Sequence, residues 1–286
     1  MARLFVDQLT VIDCSYLDAR RGIVGESWIV DLELGGELDE QGMVFDFGLV
    51  KKQVKAAIDG LVDHTLLVPM HAPGLQLSVS GDRVALTFAF ADGDLCEFNA
   101  PSCAACLLET VEIDTHCVER YLESTLLEEL PRNVTSIRIR LRTEAIDGAY
   151  YHYSHGLKKH QGQCQRIAHG HRSRLLIERD GVRAPELEQE WAERWRDIYI
   201  GSREDVVADE LHGGQRYLRF RYQAAEGEFE LLLARKRCYL IDTDSTVEHI
   251  AAHLASELGR AQPQARFLVR AFEGVGKGAL AHNVAL

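Results

Sequence analysis

The chain has 286 residues, 46% of them hydrophobic and 27% charged, with a formal net charge of −12. That length holds one large domain or two of ordinary size, and the acidic balance argues against non-specific nucleic-acid binding, which needs a positive surface. No apolar run approaches the ~20 residues of a membrane span, and Met1-Ala2-Arg3-Leu4 leads into strand-like sequence without an export-signal pattern, so the expected location is the cytoplasm.

Residues 4–16 and 27–35 read as strands. Trp28 to Leu34 alternates with period two, one face buried and one wet, and Gly35-Gly36 turns out of it. Leu49 to Leu61 carries Val50, Val54, Ile58 and Leu61 at helical spacing, so Asp63 and His64 emerge just past a helix end, where a loop presents side chains. Strand-like runs follow at 75–79, 84–91 and 96–100, separated by turns at Gly81-Asp82 and Gly93. A helix is predicted over 112–127, stopped by Pro131, and then a strongly alternating strand over 134–142. Cys103 and Cys106 form a lone Cys-x-x-Cys; with no second pair at zinc-finger spacing, they and the other five cysteines read as free thiols.

The second half repeats the plan at offsets near 130. Gly81 to Phe98 corresponds to Gly214 to Leu231, Tyr121 to Leu126 to His253 to Leu258, and Thr143-Glu144 to Phe272-Glu273. This predicts a tandem pair of units, 1–147 and 148–286, each α+β with helices on one face of an antiparallel sheet. The first helix of the second half is predicted from Glu186 to about Tyr199, ending in Ile200-Gly201-Ser202-Arg203.

Chemistry-bearing residues concentrate at the start of the second half. His169 and His171 are two apart and share a face if extended. His155, fourteen residues before His169, supplies a third nitrogen if the two runs pair as a hairpin. Three His with an open fourth position is the ligand set of a catalytic zinc, and Cys164 lies in the loop between them. A His-rich surface hairpin without metal is the alternative.

His155, the loop Cys164 and His169-Gly170-His171 resemble the zinc hairpin of the 6-pyruvoyl-tetrahydropterin synthase and 6-carboxy-tetrahydropterin synthase family. Gly42-Met43-Val44-Phe45-Asp46-Phe47, leading through a helix to Leu61-Val62-Asp63-His64, is similar to its second signature. Both Arg142-Thr143-Glu144 and Ala271-Phe272-Glu273 resemble the strand that ends in its pterin-anchoring Glu. The resemblance implies a tunnelling fold (T-fold), in which units assemble into a barrel, here as a homo-oligomer of roughly two or three fused chains per ring. It implies zinc on His155, His169 and His171, with Cys164, Asp63 and His64 catalytic and Glu144 or Glu273 binding the substrate. It further implies an active site at a contact between units, zinc and Cys from one and the Asp-His pair from its neighbour. The first half has Val24-Gly25-Glu26 where His-Gly-His belongs, and Cys14 or Ser15 where the first His belongs. The second half lacks Asp-His after its first helix. The losses are complementary, so one kind of contact keeps a full set. The activity implied is a zinc-dependent lyase converting 7,8-dihydroneopterin triphosphate to a 6-carboxy- or 6-pyruvoyl-tetrahydropterin, the former in the 7-deazaguanine (queuosine) pathway. The alternatives are a non-catalytic pterin- or purine-binding homologue and a zinc hydrolase. Lys158, Lys159, Arg166 and Arg172 flank the zinc loop and are candidates for receiving the triphosphate, or ordinary surface charges.

Overall fold

A computed structural model of the chain describes residues 2–283. The first half opens with a long hairpin of β1 (Ala2–Asp18) and β2 (Gly22–Gly36), followed by α1 (Phe47–Leu61) and β3 (Leu66–Pro69). A meander of β4 (Leu75–Ser80), β5 (Arg83–Ala89) and β6 (Leu95–Pro101) then leads through β7 (Ala105–Leu108) and α2 (Thr115–Leu127) to β8 (Val134–Arg142). The second half runs β9 (Tyr150–His155), β10 (His169–Arg179), the short β11 (Val182–Arg183), α3 (Pro185–Arg194) and β12 (Ile198–Ser202). It continues with β13 (Val206–His212), β14 (Gln215–Ala224), β15 (Gly227–Ala234), β16 (Cys238–Ile241), α4 (Val247–Ala261), β17 (Phe267–Phe272) and β18 (Gly278–His282). No described helix is long and apolar enough to cross a membrane, and all seven cysteines are free.

The fold is α+β. Two open sheets, β7-β3-β1-β2-β8 and β16-β12-β9-β10-β17-β18, form partial barrel walls, and each carries two helices. A third sheet, β13-β14-β15-β6-β5-β4, runs continuously through both halves because β15 pairs with β6. The helices cover the walls for the reason their sequences give: Val50, Val54 and Ile58 of α1 and Val118, Leu122 and Leu126 of α2 are buried on one stripe each. A separate core joins the halves, with Leu17, Phe88 and Phe98 against Ile167, Tyr199 and Phe220.

One sequence expectation is corrected. The helix starting near Glu186 ends at Arg194, not Tyr199. Asp197 adopts a left-handed φ of 54°, and Ile198 and Tyr199 pair in parallel with Tyr153 and Ser154 of β9. A β-branched and aromatic run that gains a sheet partner outweighs the helical pattern before it.

The registers of the two long hairpins superimpose. Tyr16 faces Val24 and Ser15 faces Gly25 in the first, as His155 faces His169 and Ser154 faces Gly170 in the second. Tyr16, rather than Cys14 or Ser15, therefore occupies the place of the first His, with Val24 and Glu26 in the places of His169 and His171. The hairpins meet across a local two-fold. Ser15 Oγ lies 2.6 Å from Ser154 Oγ, and a Cβ on Gly170 would come within 2.6 Å of Gly25 Cα. Only glycine at both positions permits this approach.

Candidate active site

α1 begins at Asp46, whose carboxylate accepts from the amides of Gly48 and Leu49 at 2.8 and 3.1 Å. It ends in a corner, residues 62–65, that docks on β1. The amide of His64 donates to Asp13 O at 2.8 Å, that of Ser15 to Thr65 O at 3.0 Å, and that of Asp13 to Asp63 Oδ1 at 2.7 Å. His64 is held at a φ of 53°, a conformation β-carbon-bearing residues rarely adopt. Its Nδ1 lies 2.7 Å from Asp63 Oδ2. Burial opposes charge on His64, but hydrogen bonds to Asp63 and Cys164 push it up to about 10.

Across the contact between the halves, His155, His169 and His171 are all buried, with one ligand nitrogen from each within 4.8 Å of the others. Two of their outer nitrogens are tied down. His155 Nδ1 lies 2.9 Å from Ser245 O and His169 Nδ1 lies 2.8 Å from Arg166 O, while His171 Nδ1 lies at an ion-pair distance of 3.2 Å from Asp13 Oδ1 without hydrogen-bond alignment. With Nδ1 of His155 and His169 donating to carbonyl oxygens, their Nε2 atoms are left as lone-pair donors. Burial, and then the neighbouring imidazoles, hold His155 and His169 well below the usual histidine range, in the neutral form a metal requires. His155 Nε2 and His171 Nε2 are 3.2 Å apart, close to the ~3.3 Å edge of a tetrahedron with Zn–N near 2.0–2.1 Å. The buried Nε2 of His169 has no protein partner. These residues fit a tetrahedral zinc with a fourth position open.

The halves converge here. The rings of His64 and His169 are 4.9 Å apart, and His64, Cys164 and His169 each offer an atom within 4.8 Å of the others. Cys164 sits in a one-turn 3₁₀ segment, Gln163–Gln165. Tyr222 Oη donates to Gln165 O at 2.8 Å, and Arg166 forms a bidentate pair with Glu226 at 2.8 and 3.0 Å, so the loop is pinned to the β14–β15 turn.

The two glutamates part company. Glu144 Oε1 pairs with Arg174 at 3.1 Å. Glu273 opens a turn beside the cluster: the amide of Gly274 donates to Ser173 Oγ at 3.0 Å, and Lys277 Nζ lies 3.2 Å from Asp13 Oδ2. The four flanking cations are all engaged within the fold: Lys158 with Asp205, Lys159 with Asp244, Arg166 with Glu226, and Arg172 with Glu144 O and the Tyr150 ring.

Asp13, Ser27, Ser245 and Lys277 reach this centre without having been singled out in the sequence. The one local signal was Asp13, a carboxylate inside a run that is otherwise apolar or small.

The 6-pyruvoyl tetrahydropterin synthase family model matches residues 14–140. That span includes Asp63 and His64; the three His and Cys164 lie beyond it. No curated protein matches. Among solved structures, 6-pyruvoyltetrahydropterin synthase from Plasmodium vivax is 22% identical over 50% of this chain and 91% of its own, with a TM-score of 0.40. A catalytic-residue mutant of the same enzyme gives 22%, 49% and 90%, also at 0.40. The Plasmodium falciparum enzyme is 20% identical over 49% and 90%, at 0.36.

Proposed function

Residues 14–140 belong to the 6-pyruvoyl tetrahydropterin synthase family, and from that premise we propose that the chain is a zinc-dependent lyase acting on 7,8-dihydroneopterin triphosphate, its centre shared between two fused units, 1–147 and 148–286. The product is a 6-carboxy- or 6-pyruvoyl-tetrahydropterin. One observation carries the reading: the Asp63–His64 corner of one half meets Cys164 and His169 of the other.

His155, His169 and His171 would hold the metal. Three neutral ligands leave its charge uncompensated, so when bound it supplies a Lewis acid that polarises a substrate oxygen and acidifies the adjacent C–H. Cys164 takes the proton as general base. His64, kept protonated, is the donor of the relay, and Asp63 stabilises the imidazolium and fixes its ring orientation through Nδ1. Glu273 is the better anchor for the flat heterocycle, because its turn packs on Ser173 and Asp13 beside the cluster, while Glu144 already has Oε1 paired with Arg174 and only Oε2 unpartnered. A carboxylate spans two N–H donors of such a ring edge. The chain works in the cytoplasm as a homo-oligomer, further copies completing the barrel walls.

Zinc-loaded protein is expected to consume 7,8-dihydroneopterin triphosphate, and Cys164→Ala to lower kcat at least ~100-fold while still binding the pterin. Unchanged substrate, beside an authentic synthase working in parallel, sinks the proposal. The internal pairing of Lys158, Lys159, Arg166 and Arg172 favours a second reading, a pterin- or purine-binding homologue without turnover; binding with no consumption would select it.

A further inference from the structure

Asp13 reaches His171, Lys277 and the Asp63–His64 corner, yet it belongs to the half that contributes no metal ligand. Asp13 is 3% exposed, and its Oδ1 is at an ion-pair distance of 3.2 Å from His171 Nδ1, a buried atom with no hydrogen-bond partner of its own. Ser27 Oγ donates to Oδ1 at 2.5 Å and Lys277 Nζ lies 3.2 Å from Oδ2, so both oxygens are fixed from other elements. Its main chain grips the opposite limb, through the amide to Asp63 Oδ1 and the carbonyl from the His64 amide.

The local two-fold shows that this contact is built into the interface. The registers make Asp13 the counterpart of His152 and His171 the counterpart of Glu26. His152 Nδ1 and Glu26 Oε2 are 3.8 Å apart, so an acid and an imidazole face each other at both related places. The first half supplies the acid each time. At the other place no three-His cluster follows, and the counterpart of His64, by the β3 and β12 registers, is Asp197. Asp197 has the same left-handed φ and is locked by Arg21 at 2.6 and 3.0 Å.

We infer that Asp13 is a positioning residue that sets the ring of His171 by its side chain and the Asp63–His64 corner by its main chain, so that ligand and relay share one frame. This rests on the zinc reading above. A carboxylate on the outer nitrogen fixes the tautomer of a ligating imidazole and raises its basicity, and loss of such a partner typically costs 10–100-fold in metal affinity. Asp13→Asn keeps the backbone contacts and removes the charge.

The test is a competition titration with a chromophoric zinc chelator on the full chain. Asp13→Asn is expected to bind zinc roughly 10–100-fold more weakly, with an unchanged near-ultraviolet dichroism spectrum and turnover recovered by excess zinc. Equal affinity in wild type and variant overturns the inference and leaves the zinc reading standing. A wild-type chain that takes up no zinc overturns both. Should the variant not fold, ¹⁵N spectra of histidine-labelled, zinc-loaded wild type decide: His171 is expected to be protonated at Nδ1, and an unprotonated Nδ1 refutes the role.

Discussion

Glu26, buried, and His152, half-buried, are titratable groups 3.8 Å apart, a distance at which opposite charges would normally favour each other. Burial is the larger cause for both. It raises Glu26 to about 7, against hydrogen bonding from Ser27 and the field of Arg172, and it lowers His152 below its ordinary 6.5. The consequences for stability have opposite signs. Glu26 binds its proton more tightly in the folded state, so its contribution is complete below 4.5 and is lost as pH rises towards 7. His152 binds its proton less tightly, so its contribution is complete above 6.5 and is lost as pH falls. The two slopes offset each other in the wild type. Glu26→Gln removes one, so urea unfolding at several pH values should show stability rising from pH 5 to 7, with the variant about 2 kcal/mol more stable than wild type near pH 8. A variant curve parallel to the wild type would refute the shift. Individual site residues were legible where local spacing decides their direction: His169 and His171 alternate onto one face, and Asp63-His64 follows a helix end. Asp13 was not, because its partners come from β2, β10 and the turn after β17, and nothing within a few residues of it specifies them.

At the scale of elements, the two long hairpins are the working parts, and Gly25 and Gly170 let them touch. A Cβ at Gly25 would lie 1.9 Å from Tyr153 O and 2.6 Å from His171 N. Both are main-chain atoms that cannot swing aside, so Gly25→Ala should cost about 3 kcal/mol or more, read as a lower midpoint in chemical denaturation. It should also weaken metal binding, since it pushes on the strand that carries His171. An alanine variant as stable as wild type would show that the hairpins do not meet as described. The strands of the hairpins, the amphipathic α1 and α2, and the first meander could be read from periodicity, and α4 from the internal repeat. The end of α3 could not, because the tie between Ile198 and β9 is a tertiary one. Nor could the register that puts Tyr16 opposite Val24, which a single slip along β1 would change.

Over the whole molecule, the halves are joined by the six-stranded sheet and by the core that sets Phe88 and Phe98 against Ile167 and Phe220. Chemical unfolding should therefore be one transition. Trp28 reports on the first half, and Trp191 and Trp195 on the second, so selective Trp→Phe variants followed by fluorescence should give coincident midpoints. Separated midpoints would mean that each half holds its structure alone. The sequence predicted two similar units and a shared site between them, but not the β6–β15 pairing or the common core, which are contacts of high sequence separation.

The face-to-face seating of the two hairpins also bears on behaviour in dilute solution. Were the halves separate polypeptides, the meeting of the 63–64 corner with the Cys164 loop would depend on collision, and like could pair with like. Joined through residues 143–149, they see each other at an effective concentration that no dilution of the sample can lower. Permanent attachment of this kind allows each half to drop what the other provides without risk of an empty pairing.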